Sequence, residues 1–191
     1  MKLVIHMGLH KTATTSFQNF LHLNRNALLD AGVIYPEIQQ QASHWLIPLN
    51  ILQNKWSFLE DYMKHHLSTA RRRNVKTVLL SSEDFETILL ESFRAAQFEK
   101  LALGLGYSEI HWICVLRSQW DYFNSLYAEM SQQNVCLNYW EVGDEIVNFG
   151  ELSIGNGGNR WRFAFDYDSI IESFLEDIQG SFSVISFDSF V

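Results

Sequence analysis

The chain has 191 residues, 47% of them hydrophobic, 14% aromatic and only 2 of them proline. That is about one domain's worth of sequence with enough apolar material for a core, which excludes a disordered or Pro-rich linker protein. Fourteen Lys+Arg against 22 Asp+Glu leave a net charge of −8, which excludes a broadly basic nucleic-acid surface.

Leu3 to His6 reads as a short buried strand, followed at once by Gly8-Leu9-His10-Lys11-Thr12. A helix is expected from about Thr14 to Leu29, with Phe17, Phe20, Leu21 and Leu28 at helical spacing, stopped by Asp30-Ala31-Gly32. Val33 to Tyr35 is extended and ends before Pro36. Lys55 to Arg73 is a second helix, with Leu59, Tyr62, Met63, His66, Leu67 and Ala70 on one face. Arg71-Arg72-Arg73 closes it, as cations complement a helix C-terminus; the rival reading is an anionic-substrate patch. His65-His66 falls on this amphipathic helix rather than at a metal.

Val75 to Leu80 is a strand, followed by Ser81-Ser82-Glu83-Asp84. Ser92 to Leu103 is helical and is stopped by Gly104 and Gly106. His111 to Leu116 is another buried strand, with Trp112 in the core, and Arg117 leads into a helix through about Met130. Gly143, Gly150, Gly155, Gly157 and Gly158 make residues 143–160 read as a long loop. Trp161, Phe163 and Phe165 alternate as in a half-buried strand or edge. Asp166 to Asp177 is helical, and Phe182 to Phe187 is a last strand.

Cys114 and Cys136 are too few for a disulfide framework or a metal site, and Cys114 reads as a buried free thiol. No stretch approaches the ~20 apolar residues of a membrane span. Leu3-Val4-Ile5 is too short for the apolar core of a signal peptide. The expectation is a cytoplasmic protein with no membrane span, no metal and no nucleic-acid partner.

Strands alternating with helices predict an α/β fold: three layers, with a mostly parallel central sheet flanked by helices. In such sheets ligands sit at the carboxyl ends of the strands. Those ends are Gly8–Thr15, Ser81–Asp84 and Arg117–Gln119, and each carries a polar constellation.

The first is a glycine-containing loop between a strand and a helix, the build of a phosphate cradle. Lys11 supplies a full charge, and Thr12, Thr14, Thr15 and Ser16 supply hydroxyls, more than helix capping needs. It is not a triphosphate loop of the form Gly-x-x-x-x-Gly-Lys-[Ser/Thr]. His10 and Val4 stand at the two glycine positions. The shorter loop suits one 5′-phosphate or phosphosulfate.

Ile5-His6-Met7-Gly8-Leu9-His10-Lys11-Thr12-Ala13-Thr14-Thr15-Ser16-Phe17-Gln18 resembles the 5′-phosphosulfate loop of the sulfotransferases that use PAPS (3′-phosphoadenosine 5′-phosphosulfate), especially their bacterial branch. The family pattern is roughly Gly-x-x-Lys-Thr-Gly-Thr-Thr-x-x-Gln. Ala13 stands where glycine is commonest. Arg117, with Ser125 eight residues on and Leu126-Tyr127 following, is similar to the family's 3′-phosphate pair. A planar guanidinium fork and a hydroxyl donor suit phosphate oxygens.

The resemblance implies a single domain over 1–191 with the phosphate-loop, nucleotide-kinase-like sulfotransferase architecture. It implies PAPS as co-substrate, held by Gly8, Lys11, Thr12, Ala13, Thr14, Thr15, Arg117 and Ser125. It implies sulfuryl transfer to an acceptor hydroxyl on a carbohydrate, lipid or small alcohol, with Lys11 stabilising the leaving phosphate. Family members also carry a later basic, glycine-containing segment that closes over the nucleotide; Phe187-Asp188-Ser189-Phe190-Val191 is reached without it. A base must take the acceptor's proton. Glu83 is the first candidate; His10 and His44 compete, and His44 is placed to face the acceptor. Lys11 is expected to depress the pKa of its neighbour His10. The alternatives are a non-catalytic PAPS- or PAP-binding scaffold and, behind it, a small nucleotide kinase. Acceptor identity and oligomeric state are not legible.

Overall fold

The structure is a computed structural model and describes residues 1–135, 137–155 and 161–190. Strand β1 (Lys2–Gly8) lies at the centre of the sheet, and Leu3, Ile5 and Met7 are fully buried. Helices α1 (Thr14–Leu23) and α2 (Arg25–Asp30) lead to the short β2 (Val33–Ile34). Helices α3 (Leu46–Leu52) and α4 (Trp56–Arg72) lead to β3 (Thr77–Ser81). Then come α5 (Phe85–Leu90), α6 (Ser92–Leu105) and β4 (Glu109–Leu116). Helices α7 (Gln119–Gln132) and α8 (Tyr139–Phe149) precede a hairpin of β5 (Glu151–Ile154) and β6 (Trp161–Ala164). Helix α9 (Tyr167–Asp177), β7 (Ser181–Ser186) and the short α10 (Phe187–Phe190) follow.

Among the described residues, five strands form one wholly parallel sheet in the order β2-β3-β1-β4-β7. The connection out of β1 runs toward β2, whereas that out of β4 runs toward β7. The chain therefore diverges above β1 and β4 and leaves a crevice at their carboxyl ends. Register brings the needed residues level there: His6 faces Ser81 across one ladder, and Gly8 faces Val115 across the other. Helices on both faces explain why the strands read as apolar runs without alternation. Trp112, fully buried on β4, meets Phe85, Phe98 and Phe174 edge-on at centroid distances of 6.0, 6.5 and 5.4 Å.

Two expectations need correction. The helix foreseen over Thr14–Leu29 is two helices, broken at Asn24. The Asn24 side chain donates to the Phe20 carbonyl at 2.8 Å, alongside its own amide at 3.1 Å. A short amide side chain that bonds the preceding turn competes with helix continuation. The long loop foreseen over 143–160 is largely ordered: Gly143 lies inside α8, and β5 follows directly. Gly150 (φ 69°) is the left-handed residue that ends α8, its amide donating to the Ile146 carbonyl. Gly157 and Gly158 of that stretch, and Cys136, lie outside the described residues. Cys114 is a buried free thiol whose pKa is raised by burial. Arg71 and Arg72 occupy the exposed last turn of α4, and Arg73 caps it.

A buried carboxylate pins the amino-terminal end of the sheet. Glu99 on α6 accepts from the Trp112 indole at 2.7 Å and from the amides of Gln179 (2.6 Å) and Gly180 (3.1 Å). Gly180 is there for clearance: a Cβ on it would sit 2.6 Å from Glu99 Oε1 and 2.8 Å from the Ile110 carbonyl oxygen.

Candidate functional site

The loop after β1 is built around a close approach. A Cβ on Gly8 would lie 2.4 Å from Thr14 Oγ1 and 2.7 Å from Thr12 Oγ1, so only glycine lets the loop fold back over the strand end. The Thr12 hydroxyl donates to the Leu9 carbonyl at 2.5 Å and lies 3.2 Å from Thr14 Oγ1. Thr12 is fully buried; it fastens the loop from beneath. Lys11 (φ 63°) and Ala13 (φ 56°) both take the left-handed conformation that L-residues resist. Ala13 is the N-cap of α1 and makes no side-chain cap bond, so the first turn of α1 presents its amides to the crevice.

One cleft of about 230 Å³ opens at this point, lined by His10, Lys11, Ala13, Thr14, Thr15, Glu83, Arg117, Ser125 and Glu129. Three strand ends and the α7 helix supply these residues. Arg117 follows β4; its Nη1 donates to the Lys11 carbonyl at 3.0 Å, and its guanidinium lies 4.8 Å from the Phe187 ring centroid. A guanidinium stacked on one face and bonded at one edge has few conformations left to lose on gripping a ligand. Ser125 and Glu129, four apart on α7, face the same side. The Lys11 ammonium lies 3.6 Å from Glu129 Oε2.

Glu83 lines the cleft and accepts from Gln18 Nε2 at 3.1 Å. Asp84 is the N-cap of α5 and makes no side-chain cap bond. Asp84 instead receives the Ser82 hydroxyl at 2.9 Å.

The structure places His10 in the cleft but changes its electrostatics. Its Nδ1 lies 2.8 Å from Glu86 Oε2, and its amide donates to the same oxygen at 3.0 Å. Burial works against the imidazolium, yet the hydrogen bond to Glu86 and the charges of Glu86, Asp84 and Glu83 prevail, so the pKa is raised above 6.5. The expected depression by Lys11 is therefore reversed. A raised pKa keeps the imidazolium form to higher pH, so less of His10 is free to take a proton and more of it carries the charge that partners an anion.

His44 is not brought to the cleft lining. It is buried, with Nε2 2.9 Å from the Pro36 carbonyl oxygen and Nδ1 accepting the Ser81 amide at 3.1 Å. Burial lowers its pKa to about 4. It ties residues 36–44 to the end of β3. Gly8 and Thr12 likewise shape the loop from behind without lining the cleft.

Glu86 was not foreseen. It is fully buried on α5 and accepts from the amide and ring of His10, from the Tyr122 hydroxyl at 2.8 Å and from the Ala164 amide at 2.7 Å. It thereby joins the loop after β1, α7 and β6. Its sequence signal is slight: an acid inside an apolar stretch, Phe85-Glu86-Thr87-Ile88-Leu89-Leu90. Glu129 had a clearer one, helical spacing from Ser125.

Among the described residues, no group of three or more His, Cys, Asp or Glu side chains is arranged to hold a metal, and no helix is long and apolar enough to cross a membrane. No protein-family model matches the chain, and no curated protein matches it.

Proposed function

We propose that the protein transfers the sulfuryl group of PAPS to an acceptor hydroxyl. The observation that carries the reading is convergence. Eight residues nominated from three distant stretches of sequence, namely His10, Lys11, Ala13, Thr14, Thr15, Glu83, Arg117 and Ser125, line a single cleft. The α1 N-terminus and Lys11 hold the 5′-phosphosulfate end, and Arg117 with Ser125 holds the 3′-phosphate. Whole-ligand pockets usually exceed ~300 Å³. A cleft of about 230 Å³ suits the charged end of a nucleotide, with the nucleoside lying toward its open side.

The chemistry is a displacement at sulfur. The acceptor oxygen forms a bond to sulfur as the bond from sulfur to the bridging phosphate oxygen breaks, and the acceptor's proton passes to the Glu83 carboxylate. Charge that builds on the departing phosphate is met by Lys11, by the α1 amides and by His10 in its cationic form. Glu83 is favoured as base over His10 because His10 is already committed to Glu86.

Calorimetric titration tests the reading. The desulfonated product PAP (3′-phosphoadenosine 5′-phosphate) is expected to bind about tenfold or more tightly than AMP, the worth of charge-assisted contacts to one further phosphate. Arg117→Ala is expected to remove most of that preference. Equal affinity of the unmutated protein for PAP and AMP rejects the assignment.

A further inference from the structure

We propose that Glu129 is a built-in competitor for the anion site: its carboxylate contends with the ligand's phosphate for Lys11 and so sets how tightly the cleft holds nucleotide. The inference rests on reading this cleft as the anion site of a PAPS-dependent enzyme.

A cleft meant only to hold a dianion gains nothing from an acid in its wall. This one has Glu129 Oε2 3.6 Å from the Lys11 ammonium, on the same α7 face as Ser125. Lys11 is the loop's one lysine, and its backbone is fixed by the Arg117 bond to its carbonyl and by its own left-handed conformation. Its side chain can turn toward Glu129 or toward a phosphate, but one ammonium cannot satisfy both fully.

Both side chains of the pair are 34% exposed, so the pair is worth only a small factor in an equilibrium constant. That weakness is what makes it a competitor and not a lock. A phosphate, with two charges and the α1 amides on its side, wins Lys11 at the cost of the pair and of facing the Glu129 charge. The result is a site whose affinity is held below what its cations alone would give, which favours release of the product PAP. Glu83 is the other acid in the wall, but it is turned to Gln18.

The test uses inorganic pyrophosphate and PAP as separate probes, titrated calorimetrically at about 0.15 M salt. There, exposed charges more than roughly 8 Å apart are largely screened. Glu129→Gln keeps the shape and removes the charge. It is expected to tighten both probes about three- to tenfold, whereas Glu172→Gln, on exposed α9 outside the cleft, leaves both unchanged. In a Lys11→Met background the gain from Glu129→Gln is expected to shrink, because there is no longer an ammonium to contend for. A general change in surface charge would not produce that coupling.

The proposal is overturned if Glu129→Gln leaves pyrophosphate affinity unchanged or weakens it, or if its gain is the same with and without Lys11. If Glu129→Gln tightens pyrophosphate through Lys11 while PAP binds no better than AMP, the competitor stands and the sulfuryl-transfer reading falls.

Discussion

One oxygen of the buried Glu86 carboxylate accepts from both the amide and the ring of His10, at 3.0 and 2.8 Å. A single side chain thus sets the backbone of the loop after β1 and the protonation of a residue in the cleft wall.

Glu86→Gln is expected to cost about 2–4 kcal/mol in urea unfolding, since a buried hub loses its charge and cannot accept from all four donors. The loss depends on pH. The raised pKa of His10 contributes stability that is complete below about 6.5 and disappears as pH rises through the folded value. The gap between the two proteins should therefore narrow on going from pH 6 to pH 9. NMR titration should show the His10 pKa falling in the variant.

His6 and His44 pull the other way. Burial lowers each to about 4 from 6.5, so between those two values each is neutral in the fold and takes up a proton on unfolding. The stability they contribute is complete above pH 6.5 and is lost as pH falls toward 4. The amount is roughly 3 kcal/mol for each at the acid end. Unfolding free energy measured between pH 7 and pH 4 should fall accordingly. His44→Asn should flatten the slope.

Ala13→Gly should stabilise the protein. Ala13 sits at φ 56°, where an L-residue pays about 1–2 kcal/mol, and glycine gives back part of that gain through its freer unfolded chain. A net gain of about 0.5–1 kcal/mol is expected, or roughly 1–4 °C in thermal melting. The opposite sign would mean that the methyl group packs against the loop more usefully than the strain costs.

Glu83→Gln tests the base. General-base catalysis is worth ~10²–10⁴-fold, so turnover of a competent acceptor should fall by that order while PAP affinity stays nearly level. A variant that keeps most of its rate moves the role to His10. A variant that also loses PAP affinity makes Glu83 a structural prop of the cleft.

The parallel sheet was legible because continuous apolar runs such as Ile113-Cys114-Val115-Leu116 leave few other places for a strand to go. The cleft was legible because three strand ends carry polar clusters, and a parallel sheet brings such ends together. The helix over Tyr139–Phe149 was hidden by reading Gly143 as a loop marker, when Val142 and Ile146 keep helical spacing around it. The roles of Glu86 and Glu99 were hidden for another reason. Their partners lie 76 to 81 residues away for His10, Ala164, Gln179 and Gly180, and no local pattern reports a donor at that distance. His44 was misplaced because an isolated histidine looks the same in sequence whether it bonds backbone or substrate.

The two buried carboxylates also bear on the order in which the chain is made. The loop after β1, β3 and α5 are all synthesised early, yet Glu86 is without its Ala164 donor until residue 164 has left the ribosome. Glu99 waits longer still, for Gln179 and Gly180. A nascent chain of 150 residues thus holds the loop after β1 together with two acids that each still lack part of their donor set, and a charge in that position prefers water to a core. The central layer therefore has reason to close late, once the final helix and strand arrive, rather than domain-half by domain-half as the chain emerges.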